Sequence, residues 1–297
     1  MKIQTMSIVV GTTACNASCP FCVSKTTPEQ GIVPQVNIRN FEKVAVPLAH
    51  MAGCTTILFT GKGEPTLYPN QITQYLNSLN KLSDSAPHIV IPFKELQTNG
   101  IEISKWSEDH LDSTLQTWYE LGLTTICLSI VHWNRTCNSS IYTNGDADKH
   151  YRLASLIDKL HKIGFSVRLS VMMLKGYIDY PIEVQLMINV AKENAVEQLT
   201  IRPISYPQND ESETTKWIKK YTLGDKQMCE IREFIEKRAN KVLTLPHGAE
   251  VYDFEGQNIC LSDCLTSSED EDHMRQIIFF PDGRIGYDWR YEGARLL

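Results

Sequence analysis

Apolar and β-branched residues gather into six short runs over the first two thirds of the chain, at residues 6–10, 55–60, 88–98, 124–130, 165–174 and 198–202. Stretches with helical spacing lie between them, at 37–50, 69–82, 108–121, 147–163 and 181–194. Local signals support these helices. Pro69 and Pro181 stand where a first helical turn needs no backbone N–H, and Gly122 and Gly164 stand just past two helix ends. Pro47 falls inside the first helical stretch and is expected to end or kink it. Strand followed by helix, repeated six times, predicts βαβ units and a parallel sheet. The runs read as nearly continuous apolar segments, as expected of strands covered on both faces. Six units fall short of the eight of a closed barrel. The expectation is an α/β fold, a partial (β/α)6 TIM-like barrel or an open doubly wound sheet, with chemistry at the C-terminal strand ends.

The pattern changes after Pro203. Residues 204–222 read as polar and loop-like, and Asp225 is placed to cap a helix over 226–239. Strand-like runs follow at 242–245, 251–254, 276–280 and 284–289. The last two flank Pro281-Asp282-Gly283, a hairpin signal. Residues 1–210 are therefore read as the barrel domain. Residues 211–297 are read as a small α+β extension that could cover a substrate. The acidic run at 267–272 is expected to be a solvated loop.

Composition narrows the function. The chain has 297 residues with a net charge of −6, which gives no global reason to bind nucleic acid or an anionic membrane surface. No apolar run is long enough for a membrane helix, and the N-terminal residues lack a secretory apolar stretch, so a cytoplasmic location is expected. Nine cysteines in a chain of this size point to metal or catalysis more than to a disulfide framework.

Three of those cysteines share one loop. The first strand-like run leads into Thr12-Thr13-Ala14-Cys15-Asn16-Ala17-Ser18-Cys19-Pro20-Phe21-Cys22, with C-x3-C-x2-C spacing. Three thiolates on a short loop can each take one iron of a cubane cluster, leaving the fourth iron open to a small chelating molecule. A structural zinc site wants a fourth ligand, and no His or Cys follows until His50 and Cys54. The second run leads into Gly61-Lys62-Gly63-Glu64-Pro65, where glycines let a backbone pass close to a ligand and Glu64 offers an acceptor.

These two motifs, in this order, resemble those of the radical S-adenosylmethionine (SAM) superfamily. Its loop is C-x3-C-x-aromatic-C, with Phe21 as the aromatic, and its Gly-Gly-Glu-Pro turn is similar to the turn here except for Lys62. Later strand ends continue the resemblance: Thr98-Asn99-Gly100 on the third, Ser129 on the fourth and Arg168 on the fifth. The resemblance implies a [4Fe–4S] cluster on Cys15, Cys19 and Cys22, completed by SAM. It implies SAM contacts from Phe21, Gly61, Gly63, Glu64, Thr98, Asn99, Ser129 and Arg168. It also implies a flavodoxin- or ferredoxin-type reductant and removal of a hydrogen atom from a substrate carbon. Arg202, on the sixth run, could face substrate or SAM, or pair with a surface acid.

The substrate classes left open are a small polar metabolite and a peptide, with an RNA base less favoured at this net charge. Cys260 and Cys264 read either as buried structural thiols or as hydrogen-atom donors to a substrate radical. Too few further cysteines follow for a second cluster. Cys54, Cys127 and Cys229 read as core thiols. The competing class is an iron–sulfur carrier or sensor, which would want a fourth cysteine ligand.

Overall fold

The computed structural model describes residues 2–29, 32–33, 35–206, 210–262 and 272–297. In chain order the elements are β1 (Lys2–Val9), α1 (Ile38–Asn40), α2 (Val46–Met51), β2 (Thr56–Thr60), α3 (Pro69–Ser85), β3 (Phe93–Thr98), α4 (Glu108–Glu120), β4 (Thr125–Ile130), α5 (Arg135–Tyr142), α6 (Leu153–Ile163), β5 (Ser166–Met173), α7 (Pro181–Glu193), β6 (Gln198–Pro203), α8 (Glu213–Tyr221), α9 (Asp225–Arg238), β7 (Asn240–Thr244), β8 (Glu250–Phe254), β9 (Gln257–Leu261), β10 (His273–Phe279) and β11 (Ile285–Gly286). The strands form one sheet in the order β11-β10-β1-β2-β3-β4-β5-β6-β9-β8-β7. β1 to β6 are parallel and sequential, as the alternation predicts. β10 joins β1 and β9 joins β6, both in parallel.

The sheet is open but curled. His247, in the turn between β7 and β8, hydrogen-bonds the Gln4 side chain of β1 at 2.9 Å, although six strands lie between β1 and β8 in the order. That contact requires the two margins to approach, the geometry of a partial barrel.

The register shows how the faces divide. Phe59, Leu96, Leu128, Leu169 and Ile201 are fully buried on the face packed by the helices, against Leu76, Leu115, Leu160 and Ile188. Burying each such side chain contributes about 1.5–3 kcal/mol. The alternate positions are mostly polar. Ser129, Ser170, Thr200 and Cys260 form one cross-strand row. Gln97, Cys127, Arg168 and Gln198 form the row below it. The strands therefore alternate instead of being continuously apolar, because the inner face of the curl is lined for chemistry rather than for packing.

Other local expectations shift for identifiable reasons. Pro47 does not stop its helix. A π turn at Phe41–Ala45, with Val46 N–H donating to Phe41 O, precedes it and leaves the proline in the first turn of α2. The stretch read as a helix over 147–163 splits: Ala147–Lys149 is a 3-10 turn and α6 begins at Leu153, because His150 and Arg152 are extended and His150 and Tyr151 are buried. The third run narrows to Phe93–Thr98, after Pro92. Helix α5, capped by Asn134, is an addition, and so is α8, capped by Ser212 inside the stretch read as loop. Gly224, not Asp225, takes the cap position of α9. Strand β9 was not expected. Its hairpin with β8 turns on Glu255 and Gly256, both at positive φ. The β10–β11 hairpin forms as expected. Residues 263–271, with Cys264 and most of the acidic run, lie outside the described residues.

Candidate active site

The cysteine loop leaves β1 through Gly11, whose φ of +73° suits glycine and whose Cα is packed by the Tyr68 ring. Thr12 Oγ1 hydrogen-bonds the Tyr68 hydroxyl, so the residue that precedes α3 holds the loop's entry. Further along, Cys22 N–H donates to Cys19 O at 3.3 Å and the Lys25 ammonium to the same carbonyl at 2.9 Å. Ser18 N–H donates to Tyr142 O at 2.9 Å, tying the loop to α5. Phe21 packs edge-on against Tyr142, with ring centres 6.4 Å apart, and against Trp217 of α8 at 6.1 Å.

The second motif is fastened to the first. Glu64 N–H donates to Ala14 O at 3.0 Å. A Cβ on Gly63 would sit 2.0 Å from that same Ala14 oxygen and 2.8 Å from Thr12 O. The glycine is thus required by the close approach of the cysteine loop itself. The Glu64 carboxylate is 3% exposed. One oxygen accepts from Thr66 N–H (3.1 Å), the Thr66 hydroxyl (2.7 Å) and the Thr98 hydroxyl (2.6 Å). The other accepts from Asn99 N–H at 2.9 Å. Burial pushes this carboxyl up, against the pull of those donors. Asn99 reaches back to the loop, donating to Asn16 Oδ1 at 2.8 Å and standing 3.9 Å from Cys15 Sγ. Glu64, Thr98 and Asn99 therefore form one clamp joining the ends of β2 and β3 to the cysteine loop.

Lys62, between the two glycines, is 4% exposed. Its ammonium donates to the Thr27 hydroxyl and lies 5.6 Å over the Trp289 ring. Burial lowers its pKa to about 8. This contact joins the turn to the C-terminal end of the chain, which the sequence did not signal.

The remaining expected residues line the inner face. Ser129 is half-buried in the row with Ser170, Thr200 and Cys260. Arg168 donates through Nε to Glu95 at 2.7 Å, forms the second arm of the pair through Nη2, and donates to the Thr200 hydroxyl at 3.0 Å. Its side chain is 17% exposed and that of Glu95 11%. Its guanidinium is thus already engaged with an acid the sequence reading did not single out. Cys127, beneath this pair, is buried, and burial pushes its thiol up to about 12. Cys54 is buried as expected, whereas Cys229 is exposed on α9. Cys260 is 6% exposed and packs with Ala249, Val251 and Leu245.

Among the described residues no three His, Cys, Asp or Glu side chains converge as a single metal ion requires. Cys15, Cys19 and Cys22 nevertheless act on one another: burial raises Cys19, with Cys22 and Cys15 adding to the rise, and burial likewise raises Cys15. Three neighbouring thiols that do not meet at a point fit a group with several metal atoms, each taking one ligand. A metal of this kind displaces the thiol protons on binding.

Three comparisons bear on this geometry. Residues 9–184 match the Radical SAM superfamily. The chain is 28% identical over 192 residues to the GTP 3′,8-cyclase of Chlorobaculum tepidum, covering 64% of this chain and 50% of that protein. It thus spans about half the length of that curated relative. Among solved structures, native anSMEcpe with bound AdoMet aligns with a TM-score of 0.64 at 15% identity, over 99% of this chain and 77% of that one. Streptococcus suis SuiB bound to precursor peptide SuiA aligns with a TM-score of 0.60 at 15% identity, over 96% and 59%. At such identities the two structures share the fold. No helix among the described residues is long and apolar enough to cross a membrane.

Proposed function

The chain belongs to the radical SAM superfamily, and from that premise we propose that it is an enzyme acting on a small polar metabolite, a sugar, nucleotide or amino-acid derivative, by hydrogen-atom removal from carbon. Membership implies SAM and an iron–sulfur cluster. In this reading Cys15, Cys19 and Cys22 hold a [4Fe–4S] cluster whose open iron is completed by SAM. When bound, that group would supply reductive chemistry: one electron from a flavodoxin- or ferredoxin-type donor would split SAM into methionine and a 5′-deoxyadenosyl radical. The chain's residues position the participants and exclude water. The Glu64–Thr98–Asn99 clamp fixes the cysteine loop relative to β2 and β3. Ser129 and the polar row beside it offer hydrogen bonds to SAM or substrate.

The observation that carries the reading is the polar lining of the curl beneath a loop whose own sequence supplies three thiols, not four. A carrier or sensor has no use for either feature. The polar rows favour a small polar substrate over the apolar side chains of a peptide. Anaerobic incubation of the reconstituted protein with SAM and dithionite should yield 5′-deoxyadenosine, with about four irons per chain. Changing Cys15, Cys19 and Cys22 together to Ala should abolish both. A reconstituted protein that holds iron but never cleaves SAM would overturn the proposal in favour of electron transfer.

A further inference from the structure

The inner face holds a positive charge that no acid among the described residues balances. Arg202, near the C-terminal end of β6, shares the inner face with Thr200 and, through its register partner Met172, with Ser170. Its described contact is a hydrogen bond from Nε to the Met172 thioether sulfur at 3.0 Å. It forms no ion pair with any described acid, whereas the Arg168 guanidinium is matched by Glu95. The groups bearing most on its charge are Arg168, Cys127, Arg275 and Tyr142, and none of these is a carboxylate. Burial, with Arg168 next, lowers its pKa. Arg202 is half-buried, and an unpaired guanidinium there presents a planar fork that suits carboxylate or phosphate oxygens.

A second, independent feature points the same way. Tyr142 is 3% exposed, and its hydroxyl is a buried donor with no partner. Tyr142 and Arg202 stand within electrostatic reach of each other. An oxyanion here would satisfy the orphan hydroxyl and the orphan charge together. It would also lie on the side of the curl next to the cysteine loop, where a reacting carbon must be held.

We propose that Arg202 and the Tyr142 hydroxyl form a subsite for a carboxylate or phosphate group of the substrate, so that the metabolite is an anion. This rests on the enzymatic reading above and deepens it. Cys260 stands on the same inner face, beside Thr200, two residues before Arg202 on β6. A molecule anchored at Arg202 therefore extends along the row that carries this thiol.

The test uses the reconstituted, SAM-loaded protein and inorganic phosphate as the probe, followed by titration calorimetry. Wild type should bind phosphate. Arg202→Gln should weaken it about ten- to a hundredfold, and Tyr142→Phe by a smaller factor, while Arg202→Lys should retain part of the affinity. A second place with clustered basic side chains is a groove with Lys105, Lys149, Arg152 and Lys159. Phosphate binding lost in Lys149→Gln but kept in Arg202→Gln would place the anion there and overturn the proposal. An equal loss of SAM affinity in Arg202→Gln would assign the arginine to SAM's own carboxylate and also overturn it, as would no phosphate binding by wild type. Arg202→Lys decides the matter should the Gln variant fail to fold. These failures are distinct from failure of the enzymatic reading, which would appear as absence of 5′-deoxyadenosine from wild type.

Discussion

Gly63→Ala puts a single methyl group where two motifs touch. The added Cβ would stand 2.0 Å from Ala14 O, 2.7 Å from Ala14 C and 2.8 Å from Thr12 O, all backbone atoms that cannot rotate aside. Ordinary contact begins at 3.4 Å, so relief requires the cysteine loop to move by more than 1 Å. That movement breaks the Glu64 N–H to Ala14 O hydrogen bond, a loss of about 0.5–1.5 kcal/mol, and adds about 1–3 kcal/mol of overpacking. Metal–ligand distances tolerate only about 0.2 Å. The local displacement therefore matters more to cluster loading than to the fold, whose core is elsewhere. Iron and sulfide per chain after anaerobic reconstitution, alongside thermal melting of the metal-free chain, provide the assay. Gly63→Ala should melt a few degrees lower and hold well under half the wild-type iron. Gly61→Ala, whose Cβ would meet Val10 O at 2.9 Å, should fall between, and Gly224→Ala, with nothing within 4 Å, should match wild type. Wild-type iron in Gly63→Ala would refute the argument that this contact sets the loop's position.

Glu95→Gln removes one side of a buried ion pair and strands the Arg168 charge, so unfolding free energy should fall by about 3–5 kcal/mol, while Glu95→Gln with Arg168→Met should cost less than the sum of the single changes; additive losses would show that the pair is uncoupled. Burial, helped by Arg275, lowers the His247 pKa to about 4, so its neutral form stabilises the fold above the unfolded value near 6.5 and that contribution is lost as pH falls from there toward 4. Discounted for partial exposure, denaturant melts should show about 1 kcal/mol of extra loss between pH 7 and pH 5 that is missing in His247→Gln; identical pH profiles would exclude His247 as the source. Cys260→Ala should keep iron at the wild-type level and cost about 1 kcal/mol of stability, because the thiol packs against Ala249 and Val251; a drop in iron would make it a cluster ligand.

The parallel sheet was legible because several of its first six strands end at a glycine, proline or polar cluster that interrupts the apolar run, as at Gly11, Gly61 and Pro203. The cysteine loop was legible because its chemistry is local: the three thiols lie within eight consecutive residues. What escaped notice depended on distant partners. Glu95 looks like a surface acid on an edge of alternating polarity until the sheet curls and brings Arg168 to it across β4. Helix α8 buries only Thr215 and Ile218, too thin a stripe to outweigh its polar residues, although Ser212 followed by Glu213 carried the start signal. Strand β9 was hidden because Glu255-Gly256 is a less familiar turn pair than Asn-Gly, and its alternation is only five residues long. The two glycines of the second motif were expected to approach a ligand, and the structure adds a second reason for Gly63, which admits the backbone of the neighbouring loop.

The way the C-terminal segment joins the sheet follows from an elementary difficulty with six parallel strands. Left alone, β1 and β6 would both present unpaired backbone at the margins of an open sheet, a template for aggregation. The last third of the chain covers both: β9 pairs with β6 and β10 with β1. A single segment that caps both margins couples them, since neither can be uncovered without disturbing the chain that leads to the other. The same arrangement delivers functional groups from distant sequence, with Cys260 on the inner row beside Thr200 and Trp289 over the Lys62 ammonium. On the β6 side the exposed margin is thereby moved out to β7, which is short, bulged between Lys241 and Leu243, and tied down by the Lys241–Glu250 ion pair. Each of these features opposes pairing with another strand. Restoring a flat, apolar edge with Lys241→Val, beside a Val242 that is already 57% exposed, should therefore raise the aggregation rate on warming without altering the metal site, as light scattering and iron content would report together; unchanged scattering would mean that the bulge alone protects the edge.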